Sequence, residues 1–176
     1  MPTDLPVGFP QPTTIGVIEI KSYPDYRGVT YTHGGDLARA TGVAFNSLFQ
    51  HIQSNNISMT TPVEARYFNE ETNQSAYAEV SFLYARPEIN PDQVQPNVAV
   101  TDTPSMTVVS IGIQGAYTWD SYKVHLEKLE DWLATHPEYQ VVGPPRRLFY
   151  HSPMTPEAMK YSEVQIPVSL QSHQVA

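Results

Sequence analysis

Cysteine is absent from this chain, and that one absence removes disulfides, thiolate metal sites, Cys nucleophiles and covalent attachment of a c-type prosthetic group. Basic residues are scarce as well. Ten Lys and Arg stand against 18 Asp and Glu, a formal charge of −8, which disfavours DNA and anionic membranes, where Lys and Arg must neutralise phosphate. No nucleic-acid partner is expected. No apolar run approaches the ~20 residues that cross a bilayer, so no membrane span is expected either. The opening residues carry neither the basic stretch nor the apolar run of a secretory signal, and the expected location is cytoplasmic. Also missing are a G-x-S-x-G elbow, a phosphate-cradling Gly loop and H-E-x-x-H spacing, which leaves the common hydrolase, nucleotide-binding and zinc chemistries without support. An anionic ligand would need a local basic patch to offset the global charge.

With 176 residues, 40% apolar and 16% charged, the composition suits one globular domain. Positions 1–14 read as a loose arm stiffened by proline, 15–170 as the domain and 171–176 as a tail. The span 15–21 reads as a strand that continues at 26–32 after a bend at Tyr23-Pro24-Asp25. Asp36 caps a helix over 37–53, in which Phe45, Leu48, Phe49 and Ile52 fall at i, i+3, i+4 and i+7 on one face. Asn55 or Asn56 turns the chain at its end. Spans 59–68 and 76–84 follow as strands joined by a polar hairpin at 69–74, with Pro62 marking the first as an edge strand or an irregular pairing. Pro87, Pro91, Pro96 and Pro104 then make 86–104 a linker.

The second half repeats the order. A strand at 106–114 precedes a helix capped by Thr118 or Asp120 and reaching 135, with Tyr122, Leu126, Leu129 and Leu133 along one side. Strands at 146–151 and 161–170 flank a loop bearing Pro153 and Pro156. Met59-Thr60-Thr61-Pro62 corresponds to Val142-Gly143-Pro144-Pro145, and Ala78-Glu79-Val80-Ser81-Phe82 to Ser162-Glu163-Val164-Gln165-Ile166. The chain thus reads as one β-α-β-β unit stated twice, over about 15–85 and 105–170.

Specific wording accompanies this plan. Phe45-x-x-Leu48-Phe49-x-x-Ile52, two asparagines, then Ile57-x-Met59-Thr60-Thr61-Pro62-Val63 resembles the SOUL haem-binding family. The stretches Gln114 to Tyr117, Gly143 to Arg146 and Glu163 to Val168 resemble both that family and the related gyrase-inhibitor-like effector-binding domains. Together these cover nearly all of the chain. The resemblance implies an α+β fold in which the duplicated units form a pseudo-twofold curved antiparallel sheet or distorted barrel, with two helices outside.

Alternation along the last strand of each unit puts Ala78, Val80, Phe82 and Tyr84 on one face, and likewise Ser162, Val164, Ile166 and Val168. These faces are expected under the helices. Tyr77, Glu79, Tyr161 and Glu163 then face away and, if the sheet curves as the resemblance implies, line a central concavity. Carboxylates beside aromatic rings suit a cationic or polarised ligand, and a desolvated Glu can have a raised pKa and serve as general acid or base. Glu163, with Glu79, is the position for such chemistry. Solvent-facing acids on an open sheet are the plain alternative.

Haem or another tetrapyrrole, held non-covalently, is the cofactor that the resemblance implies, bound largely by a hydrophobic surface near the first helix. Axial candidates are His33 and His51, and Arg39, Arg146 and Arg147 are propionate partners. His125 and His136 read as structural, His151 and His173 lack supporting context, and Met59 and Met106 read as core packing. The leading expectation is a non-catalytic tetrapyrrole carrier or buffer that takes a small hydrophobic or planar ligand. The alternatives are a small-molecule-binding domain of the gyrase-inhibitor-like kind, with hydrolysis at the Glu163 and Glu79 concavity, and a module whose ligand is another protein.

Overall fold

In the computed structural model, which describes residues 4–68 and 76–171, strands β1 Ile18–Tyr23, β2 Tyr26–Gly34, β3 Val63–Phe68, β4 Tyr77–Leu83, β5 Ala99–Thr103, β6 Met106–Gln114, β7 Tyr139–Val141, β8 Arg146–Phe149 and β9 Tyr161–Leu170 join one sheet. Its order is β1-β6-β9-β8-β3-β4-β2-β5, with β7 added beside β9. Every pairing between these strands is antiparallel. Two helices, α1 Ala40–Ser54 and α2 Trp119–Ala134, make the fold α+β. α1 packs on β2 and β4, and α2 on β6 and β9.

The helices cover one face because both elements present apolar stripes there. α1 buries Ala40, Ala44, Leu48 and Ile52, spaced so that small residues let the helix sit close to the sheet. Ala78, Val80 and Phe82 meet it, while Val164, Ile166 and Val168 join the same core from the other half. α2 begins where the Thr118 hydroxyl accepts the Ser121 amide at 3.1 Å.

The opposite face is closed by the arm. Phe9 sets its ring edge-on to Tyr23 and Tyr26, with centroids 5.0 and 5.3 Å away, in a second cluster that includes Leu83, Val108, Leu148 and Tyr150. Thr13 is buried. A Cβ on Gly112 would lie 2.4 Å from the Thr13 carbonyl oxygen, so a glycine is required where the arm crosses β6. The described part of the arm is therefore packed, not loose, because it supplies the aromatic cover that this face of the sheet otherwise lacks.

Other expectations shift for local reasons. The first strand begins at Ile18, since Gly16 turns the chain with φ +79° and the Val17 amide bonds back to the Thr14 carbonyl at 3.0 Å. A short 3-10 turn, Leu37–Arg39, precedes α1. Span 59–62 is not strand: the Thr61 amide bonds the Asp4 carbonyl at 2.9 Å and the Thr60 hydroxyl the Leu83 carbonyl. Strand β3 starts after Pro62 and lies between β8 and β4, so it is neither an edge nor interrupted. The proline-rich span 86–104 contains β5, whose Val100 pairs with Val29 of β2. The expected hairpin at 69–74 lies outside the described residues.

Candidate functional site: an apolar groove with a basic rim

The stripe Phe45, Leu48, Phe49, Ile52 divides in two. Leu48 and Ile52 turn into the core, whereas Phe45 and Phe49 remain 39% and 42% exposed and stack with their planes 9° apart. They form one wall of a groove of about 800 Å³, a size typical of small-molecule sites. The Phe45 ring also rests edge-on against Phe82, which with Val63 belongs to the floor. The facing wall comes from Phe149, Tyr150 and the loop that follows β8. Met59 lines the groove and is 40% exposed, which corrects its expected place in the core. Met106, by contrast, packs against the second apolar cluster.

Charge on the rim opposes the charge of the chain. Arg39 stands at the α1 end, with Lys160 and His151 on the opposite loop, and among the described residues no Asp or Glu lines the groove. Lys160 Nζ is held 5.2 Å from the Tyr117 ring centroid, a cation–π contact that fixes the ammonium at the edge. Behind the facing wall the Arg147 guanidinium lies against the Tyr117 and Phe149 rings at 5.5 and 5.3 Å. Thr61 lines the groove, and its hydroxyl is buried with no hydrogen-bond partner among the described residues. A buried polar atom left unpaired costs free energy that a bound polar group can recover.

Of the two sequence-predicted acids, Glu163 lies on the arm side of the sheet in a closed network, which also holds Glu64, a residue the sequence did not single out. Glu163 is fully buried and accepts hydrogen bonds from Lys21 Nζ at 2.7 Å, the Thr13 amide at 2.7 Å, the Ser110 hydroxyl at 3.1 Å and the Tyr150 hydroxyl. Burial pushes its carboxyl upward, but the Lys21 ammonium and these hydrogen bonds outweigh that and hold it below the usual carboxylate range. The expected rise in pKa is thus reversed. Glu64 is equally buried, bonded by Tyr26 and Arg146 with Arg66 3.4 Å away. Burial raises its pKa and the two arginines more than restore it, leaving it low. Gln165 joins the halves, accepting from Arg146 at 2.8 Å and donating to Tyr23 at 2.8 Å. Glu79 and Tyr77 are half-buried on β4, Tyr77 stacked on Phe68 at 4.5 Å. The Tyr161 hydroxyl bonds the Thr13 carbonyl.

Of the haem candidates, Arg39 alone reaches the groove lining. His33 is half-buried near the end of β2, paired with Ala78 rather than in a turn, its ring 3.2 Å from the Asp36 carbonyl. His51 is buried under α1 against the Tyr84 hydroxyl at 2.6 Å. Arg146 is buried with Glu64, and Arg147 with Ser162 and the Thr118 carbonyl. His173 lies outside the described residues. Sequence reasoning passed over His151 and Lys160, whose part in the groove arises from a loop meeting a helix far away in the chain. Among the described residues no three His, Asp or Glu gather to hold a metal ion. No described helix is long and apolar enough to cross a membrane.

Similar folds occur in proteins of distant sequence. The C-terminal domain of EcmrR matches with a TM-score of 0.71 at 15% identity, covering 88% of this chain and 98% of that one. A hydrolase from Listeria innocua matches at 0.60 and 12%, covering 90% and 94%. The structure of SAV2435 bound to tetraphenylphosphonium matches at 0.54 and 11%, covering 87% and 94%. At these identities the likeness speaks for the fold alone. Among curated proteins none matches significantly. The family profile described as SOUL heme-binding protein matches residues 11–167, nearly the whole length over which the groove and the buried network are built. The chain belongs to the SOUL haem-binding protein family.

Proposed function

We propose that the groove between α1 and the loop after β8 holds haem or another tetrapyrrole non-covalently, and that the protein acts as a carrier or buffer without catalysis of its own. The observation that carries this reading is the union of an apolar groove of about 800 Å³ with a basic rim on a chain of charge −8. A flat macrocycle with carboxylates at one edge needs both. Phe45, Phe49, Phe82 and Phe149 would take the ring by apolar and stacking contact, and Arg39 and Lys160 would meet the carboxylates. When bound, haem supplies iron; the apolar walls exclude water from its faces. Titration of the purified protein with hemin, followed at the Soret band, tests the reading. A saturable shift with a stoichiometry of one is expected, and its absence would end the proposal.

A second reading, a small-molecule site at the arm-side face, draws on the place of Glu163 in a fold like that of SAV2435 and of the Listeria hydrolase. Its acid is already matched by Lys21 and Thr13, so such a ligand would have to displace both. Thermal stabilisation by a lipophilic cation, lost in Glu163→Gln, is what this alternative requires.

We also infer that the sheet is built from two copies of one unit. Strand registers support this. The shift that carries Lys21 to Thr101 also carries Gly28 to Val108, and Lys21 pairs with Val108 as Gly28 pairs with Thr101.

A further inference from the structure

We infer that His151 meets a ligand in the groove as a hydrogen-bond donor to a carboxylate, not as a ligand to iron. The inference rests on the groove reading and adds a role for one residue within it. The deciding contact is the hydrogen bond from the Tyr161 amide to His151 Nδ1 at 3.0 Å. A backbone N–H only donates, so Nδ1 keeps its lone pair and the neutral ring carries its proton on Nε2. Iron requires an unprotonated nitrogen. To offer Nε2 to a metal, the ring would have to move its proton to Nδ1, where it would face the Tyr161 N–H. Turning the ring over instead would place a carbon there. Either change strips the first amide of β9 of its acceptor.

The ring is not free to swing away. The His151 amide donates to the Tyr117 hydroxyl at 3.0 Å, and that hydroxyl donates to the Tyr161 carbonyl at 2.7 Å. The Tyr150 amide adds a bond to the same carbonyl at 3.2 Å. His151 is thereby tied to the start of β9 while its side chain lines the groove on the side that carries Lys160. The two neighbouring phenols are also committed, Tyr117 to this clamp and Tyr150 to Glu163. What faces the ligand from this wall is therefore an imidazole N–H beside an ammonium, a pair suited to carboxylate oxygens.

The test compares hemin with iron-free protoporphyrin IX on the wild-type chain and on His151→Gln and His151→Phe, with melting temperature and circular dichroism confirming that each variant is folded. The wild type is expected to bind both porphyrins with affinities within a few fold. His151→Phe should weaken both by about tenfold, the loss of one charge-assisted hydrogen bond. His151→Gln retains an N–H donor and should recover most of that loss. The Soret position and ferric spin state of bound hemin should be the same in all three. Hemin bound a hundredfold tighter than the iron-free ring, with a Soret band and spin state that move in His151→Gln, would overturn the inference and leave the groove reading intact. Affinities unchanged in His151→Phe would overturn it as well. If neither porphyrin binds the wild type, both readings fall together.

Discussion

Lys21 Nζ lies 2.7 Å from Glu163 Oε2, and neither side chain is more than 2% exposed. A strand near the beginning of the chain thus neutralises an acid near its end. Buried pairs of this kind are costly to break, because removal of one partner leaves an uncompensated charge in the interior. Lys21→Met is expected to lower the free energy of unfolding at pH 7 by about 3–5 kcal/mol, read from urea denaturation. Lys21→Met combined with Glu163→Gln should be more stable than Lys21→Met alone. A double variant no better than the single one would show that the ion pair is not what the lysine contributes.

Acid should act in two steps. His51 is buried, and burial holds its ring below its ordinary pKa, so the unfolded chain takes up a proton near pH ~6.5 that the folded one refuses. Its share of stability is complete above that pH and declines as pH falls towards the folded value. Glu64 and Glu163 also sit below their ordinary range. Their share is complete above the unfolded carboxyl value of ~4.3 and is lost as pH falls through the folded values. The urea midpoint measured from pH 8 to pH 3 should therefore decline first below ~6.5 and more steeply below ~4.3. His51→Gln should abolish the first decline and leave the second. A flat wild-type profile between pH 7 and 5 would eliminate the histidine contribution.

Gly112→Ala should loosen the arm. The added methyl would stand 2.4 Å from the Thr13 carbonyl oxygen and 2.6 Å from that of Thr14, so the arm or β6 must move. A loss of about 1–3 kcal/mol is expected, together with faster amide hydrogen exchange at Thr13 and Gly16. Exchange rates equal to wild type would mean that the crossing is less tight than the geometry requires.

Gly42 offers a way to separate ligand binding from stability. It lines the groove early in α1, and a Cβ there meets nothing within 4 Å. Gly42→Phe would fill part of the groove, while helix propensity favours Phe over Gly by a few tenths of a kcal/mol. Hemin affinity should fall at least tenfold with a melting temperature unchanged or raised. Undiminished binding in that variant would place the ligand elsewhere.

Much of the architecture was legible where one periodicity governs a whole element. The strands at 106–114 and 161–170 and the helix after Thr118 appear with nearly the expected bounds. The two-faced reading of the strand around Glu163 also holds, since Val164 and Ile166 enter the helix-side core while Glu163 and Gln165 enter the network opposite. The short strands β5 and β7 were not legible. Their pairing depends on partners in β2 and β9 that no local pattern announces. The state of Glu163 was hidden for a similar reason: its acidity depends on Lys21 and Thr13, which only the folded sheet brings near. The groove was half visible. Phe45 and Phe49 belong to an obvious stripe, but the more buried stripe of Ala40, Ala44 and Leu48 takes the sheet, and this frees the two rings for the groove.

The stitching of the arm has a consequence for the order of assembly. Thr13 and Lys21 are synthesised early, yet both bond an acid 150 and 142 positions later. Among the described residues β1 pairs only with β6, and β6 in turn needs β9 for its other edge. The arm and β1 must therefore wait for β6 and β9, and closure over so long a stretch of chain is slow. Until Val108, Leu148 and Tyr150 have been made, Phe9, Tyr23 and Tyr26 lack their full cover, and that interval is when the nascent protein is most exposed to aggregation and most in need of a chaperone.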